Sequence, residues 1–330
     1  MLPLKISVDL GEAYNDPMRF VESAVVAEEC EFDTVWFGDH LLPWVHKQNR
    51  AAYVWSVMPA ALERTKSIRM GPLVTPPIGG RYHPIILGQA AATLDNMYPG
   101  RFALGVGSGE AMSETRFFPV WPDWEERIGR LCEAVVLMRK MWEAEDYFDF
   151  KGRYFKLTEF FLYTKPKTKI PIYFAADGKR GASYAGVYGD HLVTLNNPDK
   201  CKNIIYPSFE ASARKAGKDL SRMEKMVEVL VHFNDKKHGL EEVRRSGDAG
   251  TLAEGAVNER DPRRIQQMSY GLSDEKILSN VCFFYPPDEL IEIIDKYRKA
   301  GTTHVVLVTH SFPDRIRLIA EKVLPYFTEK

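Results

Sequence analysis

Thr34-Val-Trp-Phe-Gly-Asp-His-Leu-Leu-Pro-Trp44 opens as an apolar run, stops at a glycine, and then delivers an acid, a base and an indole. Its first residues are β-branched or aromatic, and the run has the length of a buried strand. A strand without a polar face belongs in a parallel sheet covered on both sides by helices. Ligands of such sheets collect beyond the carboxyl ends of the strands, which is where Asp39, His40 and Trp44 fall. A turn in which Asp39 is a cap and His40 is merely buried would use the same residues, so the surrounding chain has to decide.

Outward from this strand the chain repeats one unit. Upstream, Leu4 to Leu10 reads as a strand and Asp16-Pro17 as a cap and first helical position; Phe20, Val21, Ala24, Val25 and Ala27 then form the apolar stripe of a helix. Downstream come a helix from Trp55 to Arg64, a strand from Ile68 to Val74, a helix from Ile85 to Met97 that breaks at Tyr98-Pro-Gly100, and a strand from Arg101 to Gly107. Ile128, Leu131, Cys132, Val135, Met138 and Trp142 fall at helical spacing. Tyr147 to Tyr163 alternates aromatics around Lys151-Gly152, which predicts a β-hairpin insertion over 147–163, packed rather than shaped as a ligand cage. The unit resumes with strands at Ile170 to Ala176, Asp190 to Leu195 and Met226 to Phe233, separated by helices at Ala182 to Val187 and Lys202 to Lys215. Residues 236–280 are rich in charge and glycine and read as an insertion of short helices and loops. A helix from Leu290 to Lys299, a strand from Thr303 to Thr309 and a helix from Ile316 to Tyr326 complete the series. Eight such strands, mostly followed by helices, predict an α/β fold: a (β/α)8 TIM barrel with insertions, in one domain over 1–330. An open doubly wound sheet is the rival architecture.

Composition narrows the function. A chain of 330 residues that is 45% hydrophobic can bury a large core, and its net charge of -1 gives no electrostatic case for nucleic acid or an anionic membrane. Cys30, Cys132, Cys201 and Cys282 are widely spaced and form no C-x-x-C pair, so reduced thiols are expected rather than a disulfide framework or zinc cluster. The remaining histidines lack the pairing of a metal-binding helix, and no metal is expected. No charged-then-apolar leader precedes Leu4 and no run reaches the ~18 apolar residues of a membrane span, so a cytoplasmic protein is expected.

In a barrel, the strand ends meet at one mouth. They bring Asp39, His40 and Trp44 together with Leu73 and Val74, with Gly107-Ser108-Gly109-Glu110, and with Ala176-Asp177-Gly178. The glycine run Gly105-Val-Gly-Ser-Gly-Glu110 places Glu110 where a dinucleotide fingerprint needs its last glycine, which disfavours a Rossmann site. Glycines there let backbone approach a flat ring, with Glu110 aimed into the site; a tight turn with a solvated glutamate is the plainer alternative.

Gly38-Asp-His-Leu-Leu-Pro-Trp44, Arg81-Tyr-His-Pro84, Met97-Tyr-Pro-Gly-Arg101 and Gly105-Val-Gly-Ser-Gly-Glu-Ala-Met-Ser-Glu114, in this order, resemble the bacterial-luciferase-like superfamily and, within it, the coenzyme F420-dependent dehydrogenases. Phe161-Leu-Tyr-Thr-Lys-Pro166 and Tyr184-Ala-Gly-Val-Tyr-Gly-Asp190 look most like the secondary alcohol dehydrogenase branch of methanogenic archaea. The resemblance implies a TIM barrel, a homodimer, F420 at the mouth, and a non-prolyl cis peptide at Leu73-Val74 behind the deazaflavin ring. Asp39 would contact the cofactor, and His40, Trp44 and Glu110 would line the substrate side. Leu73, Val74, Ser108, Gly109 and Ser113 are implied around the ring. Ala176, Asp177, Gly178, Gly181 and Ala182, with Lys179 and Arg180 close by, are implied near the ring or its anionic tail.

The residue types suit alcohol oxidation. Histidine is a base near neutral pH, and the deazaflavin C5 takes the hydride without a metal. Glu110 could protonate the reduced ring or polarise the substrate oxygen; Trp44 supplies an apolar wall, and Asp39 could alternatively orient His40. The sugar-phosphate branch of the family holds its substrate phosphate with lysines and an arginine. This chain offers Asn197-Pro198, Gly255-Ala256 and Asn280 at those places, although Arg260, Arg263 or Arg264 could substitute. The resemblance therefore implies a small secondary alcohol or its ketone. Glucose 6-phosphate is the alternative, with an FMN-dependent luciferase-like monooxygenase or a non-catalytic deazaflavin-binding protein behind it.

Overall fold

The computed structural model describes residues 2–11, 16–246 and 248–327. Its parallel strands are β1 Lys5–Asp9, β2 Thr34–Phe37, β3 Arg69–Pro72 and β4 Leu104–Val106. Then come an antiparallel pair, β5 Phe148–Lys151 with β6 Lys156–Phe160, and the strands β7 Ile172–Ala175, β8 His191–Thr194, β9 Lys225–Asp235, β10 Val281–Tyr285 and β11 His304–Val308. The sheet runs β3-β2-β1-β11-β9-β8-β7-β4, and bridges from Met70 to Phe102 and from Thr75 to Val106 bring its two ends together. This is the (β/α)8 barrel the sequence predicts, and among the described residues no helix is long and apolar enough to cross a membrane.

Alternation along each strand sorts side chains between two cores. Val8, Val35, Phe37, Val227, Val229 and Val305 pack outward under the helices. Trp36, Tyr173, Val193, Met226 and Val306 fill the barrel, with the Trp36 indole edge-on to Tyr173 at 4.9 Å. Polar groups line the closed end: His304 is wholly buried, 2.6 Å from Ser7 Oγ and 2.8 Å from Glu224 Oε2, while Lys5 Nζ lies 3.1 Å from Glu224 Oε1.

The seam between β3 and β4 shapes the mouth. Leu73-Val74 is cis, as the resemblance implies. A methyl group on Gly105 would strike the Pro72 carbonyl oxygen, and one on Gly107 would strike Val74. These glycines therefore make room for the neighbouring strand and its bulge, a tighter demand than approach to a ligand alone.

Helix starts follow the sequence chemistry. Asp16 accepts from the Met18 N–H at the start of helix Pro17–Glu29, and Gly301, at φ 95°, closes helix Asp288–Ala300. The 147–163 aromatics pack as a hairpin: Phe155 and Leu162 join Ala92, Leu137 and Met141. Two segments differ from the sequence reading, at 201–207 and at β10. The helix expected from Lys202 is a composite in which Cys201–Ile205 widens into a π turn just ahead of Pro207, which has no N–H to donate. Residues 236–280 hold the well-formed helices Lys236–Ser246 and Pro262–Ser269. β10 is an additional strand, pairing with the upper part of β9 from Leu230 to Asp235; a five-residue apolar run beyond a polar stretch carries no periodicity that separates strand from helix.

Gly105→Ala is expected to lower the unfolding free energy by about 3 kcal/mol, because backbone must move to admit the methyl. Gly271→Ala, where a methyl meets nothing closer than 3.8 Å, should stay within about 0.5 kcal/mol of the parent. Urea denaturation of both variants checks the contrast, and equal losses would remove the steric account.

Candidate active site

The mouth is concave because its upper layer is not filled. On β9, the outward Val227, Val229 and Val231 are buried, whereas the inward Glu228, Leu230 and His232 are only partly covered. Leu73, Val74 and Ala175 give this concavity an apolar floor. A floor of that kind, open above and free of projecting side chains at Gly107, fits a flat ring.

His40 and Glu110 face one another across the mouth. His40 Nδ1 lies 3.7 Å from Glu110 Oε2, and the His40 ring meets Trp44 edge-to-face at 5.4 Å. Trp44 is itself backed by Val45, Met112, Ala256 and Ile265, so part of the 236–280 segment forms its support. Burial drives the two titratable groups apart. The His40 imidazole is depressed to about 3, by desolvation and then by the nearby Arg81 charge. The Glu110 carboxyl is raised to about 7, by desolvation first and then by Glu114. At neutral pH the imidazole is therefore unprotonated, and Glu110 is near the midpoint of its titration.

Asp39 is 1% exposed and is held by a shell of four side-chain donors. Its carboxylate accepts from Arg81 Nη1 and Tyr82 Oη, both at 3.0 Å, from Thr75 Oγ1 at 2.5 Å and from Trp55 Nε1 at 3.3 Å. Arg81 also donates from Nη2 to the Asp39 carbonyl at 2.7 Å and from Nε to Glu114 Oε1 at 3.1 Å. Burial pushes the Asp39 and Glu114 carboxyls up, and the guanidinium between them pulls both back.

The other sequence-derived positions divide. Leu73, Val74, Ser108, Gly109 and Ala176 stand at the strand ends around the concavity. Ser113 is wholly buried, its Oγ accepting from the Leu41 N–H at 3.1 Å, so it ties the loop after β2 to the segment after β4. Asp177 Oδ1 accepts from Thr194 Oγ1 and the Leu195 N–H, each at 2.8 Å, joining the ends of β7 and β8. Gly178 caps helix Lys179–Tyr188 with open space around it, while Gly181 and Ala182 are buried against the barrel. Arg180 is engaged by Glu125 through both nitrogens.

Sequence reasoning missed Arg81, Tyr82, Thr75 and Glu114 as parts of the site; three acids converging at strand ends was the available signal that a buried cation had to be near. It also missed Asp9, the last residue of β1, whose carboxylate accepts from the Gly11 N–H at 2.8 Å and from Gly38. Desolvation raises Asp9 to about 7, against those backbone bonds.

Comparison with known proteins gives the family. The family model described as luciferase-like monooxygenase matches residues 1–304. The chain is 31% identical over 329 residues to an F420-dependent glucose-6-phosphate dehydrogenase of Microbacterium testaceum, covering 98% of this chain and 97% of that one. It is 35% identical over 295 residues to the corresponding dehydrogenase of Nocardia farcinica, covering 88% and 87%. Among solved structures, an F420-dependent secondary alcohol dehydrogenase in complex with an F420-acetone adduct superposes with a TM-score of 0.91 at 36% identity, over 99% of this chain and 100% of that one.

Glu110 makes stability depend on pH. Its carboxyl titrates at about 7 in the folded protein against an ordinary 4.5, so between those values the folded state binds more protons and loses stability as pH rises. Glu110→Gln removes this loss. The variant is expected to match the parent near pH 4 and to exceed it by on the order of 3 kcal/mol at pH 8, read from urea denaturation. A difference that does not change with pH would contradict the assignment.

Proposed function

We propose, for a chain that belongs to the luciferase-like monooxygenase family and works as an F420-dependent oxidoreductase, that its substrate is a small neutral secondary alcohol, converted reversibly to the ketone. The observation that carries this reading is the character of the wall beside His40 and Glu110. Trp44 rests on Val45, Met112, Ala256 and Ile265, and none of these bears charge. The positions where the sugar-phosphate branch keeps cations are occupied locally. Asn197 Oδ1 caps the Lys200 N–H, Asn280 Nδ2 donates to the Lys276 carbonyl, and Gly255 is a left-handed turn residue at φ 81°. A phosphate against such a wall would be desolvated without a partner.

In this reading F420, when bound, supplies the hydride acceptor. Leu73, Val74 and Ala175 would floor it, and Ser108, Gly109, Ala176 and Gly178 would border it. Asp39, saturated by its donors, acts behind the ring through Arg81 and Thr75 more than by direct contact. His40, unprotonated at neutral pH, accepts the substrate hydroxyl proton at its imidazole, and Glu110, which titrates near neutral pH, can hold and release a proton. Trp44 shapes the space for the alkyl groups and keeps water from it. The protein is proposed to act as a cytoplasmic homodimer, which light scattering of the eluted protein would check against a monomer of 37.7 kDa.

Mixing the protein with oxidised F420 and 2-propanol should bleach the deazaflavin absorbance. His40→Asn should lower kcat by about 10²–10⁴-fold with F420 affinity kept within a few-fold. No bleaching with any simple secondary alcohol would sink the substrate claim.

A second reading, sugar-phosphate oxidation, draws on one feature. Thr115, Arg116, Arg260, Asp261 and Arg263 surround a cavity of about 350 Å³ beside the segment that backs Trp44. Asp261 neutralises Arg263, but the guanidinium of Arg116 is held by the Met112 carbonyl rather than by an acid. Faster turnover of glucose 6-phosphate than of alcohols, lost in Arg260→Ala, would establish this reading in place of the first.

A further inference from the structure

His40 and Glu110 come from different loops, and neither holds the other: at 3.7 Å their nearest polar atoms are beyond hydrogen-bond reach. Their spacing therefore depends on how the two loops that carry them are held. Arg81 is placed for that task. Its side chain is 7% exposed and grips the residue next to His40 twice, at the Asp39 carboxylate and the Asp39 carbonyl. On the other side it grips Glu114 twice, through its Nε and through its own backbone N–H. Glu114 ends the single helical turn Ala111–Glu114, and Glu110 is the residue that begins it, with the Glu114 N–H bonded to the Glu110 carbonyl at 3.1 Å. One planar guanidinium therefore fixes the anchor points of both reacting side chains. The hydrogen bond from Leu41 N–H to Ser113 Oγ closes the same two loops from the other flank.

We propose that Arg81 is the positioning residue of this site: by joining Asp39 to Glu114 it sets the separation of His40 from Glu110. The groups facing Glu110 come from four elements. Asp39 and His40 follow β2, Arg81 precedes helix Pro84–Met97, Glu114 lies on the short turn, and Arg127 lies on helix Trp124–Glu143. Glu114 and Asp39 raise Glu110 and Arg81 lowers it, so the cluster opposes its own charges at that carboxyl. A lysine at this position would keep the charge and lose the fork, because an ammonium cannot present two parallel donors to one partner and a third to another.

The test has two arms. The turnover arm rests on the proposed alcohol chemistry. Arg81→Lys should lower kcat by about 10²-fold with KM and F420 affinity within about threefold, the mark of misplaced groups rather than lost binding. A kcat within twofold of the parent would overturn the proposal. The infrared arm needs neither substrate nor cofactor. The carbonyl band of protonated Glu110, assigned by its loss in Glu110→Gln, is titrated in Arg81→Met and in Glu114→Gln. The midpoint should move up by about one pH unit in the first and down by about one in the second. A midpoint unmoved in both variants would overturn the proposal even if Arg81→Lys does not fold. If the parent oxidises no alcohol, the substrate reading fails while the infrared shifts still decide the role of Arg81.

Discussion

The Arg81 guanidinium is nearly out of solvent and lies between two carboxylates from different strand ends, Asp39 after β2 and Glu114 after β4. Taking such charges out of water costs several kcal/mol per ion, and the cost is offset only where geometry is close and spare lone pairs find donors. Both conditions are met: Thr75, Tyr82 and Trp55 complete the shell of Asp39, and the Arg81 N–H completes that of Glu114. Removing one member would strand the rest, so the loops after β2, β3 and β4 are committed to one arrangement together.

That commitment reaches the floor of the mouth. Thr75, which donates to Asp39, follows the cis Leu73-Val74 peptide, and its backbone bridges to β4 at Gly105 and Gly107. The seam that brings the two ends of the sheet together, the apolar floor and the buried ion cluster are thus consecutive parts of one segment. Gly105 cannot take a side chain for a reason of barrel closure, and the same closeness presents Val74 to the concavity.

Much of this could be read from the residues. β2 spans Thr34–Phe37 as its composition demands, and Pro-Gly breaks and Asp-Pro starts placed several helix ends within a residue or two. Periodicity failed where none exists, at β10, and where a proline reshapes a helix from inside, at Pro207. That His40, Trp44 and Glu110 would come together was legible because strand ends converge in a barrel. The cis peptide was legible only through resemblance to the family, since nothing in Leu73-Val74 itself requires it. Arg81 and Glu114 were visible as letters without roles: their meaning lies in a pairing across 33 residues that no local pattern encodes. Ser113 and Asp177 show the converse case, residues at the right place whose polar atoms are spent on neighbouring backbone.

The dry layer in the middle of the barrel has one more effect. Ser7, His304 and Glu224 form a hydrogen-bonded chain that would serve as a proton relay if it led anywhere. Above it Trp36, Met226 and Val306 are wholly buried, and the Trp36 N–H has no hydrogen-bond partner among the described residues. The barrel axis is therefore an insulator between two wet ends. A proton released at the strand-end mouth therefore cannot leave along the barrel axis through these described residues; under the proposed chemistry it would have to depart on the side where substrate enters.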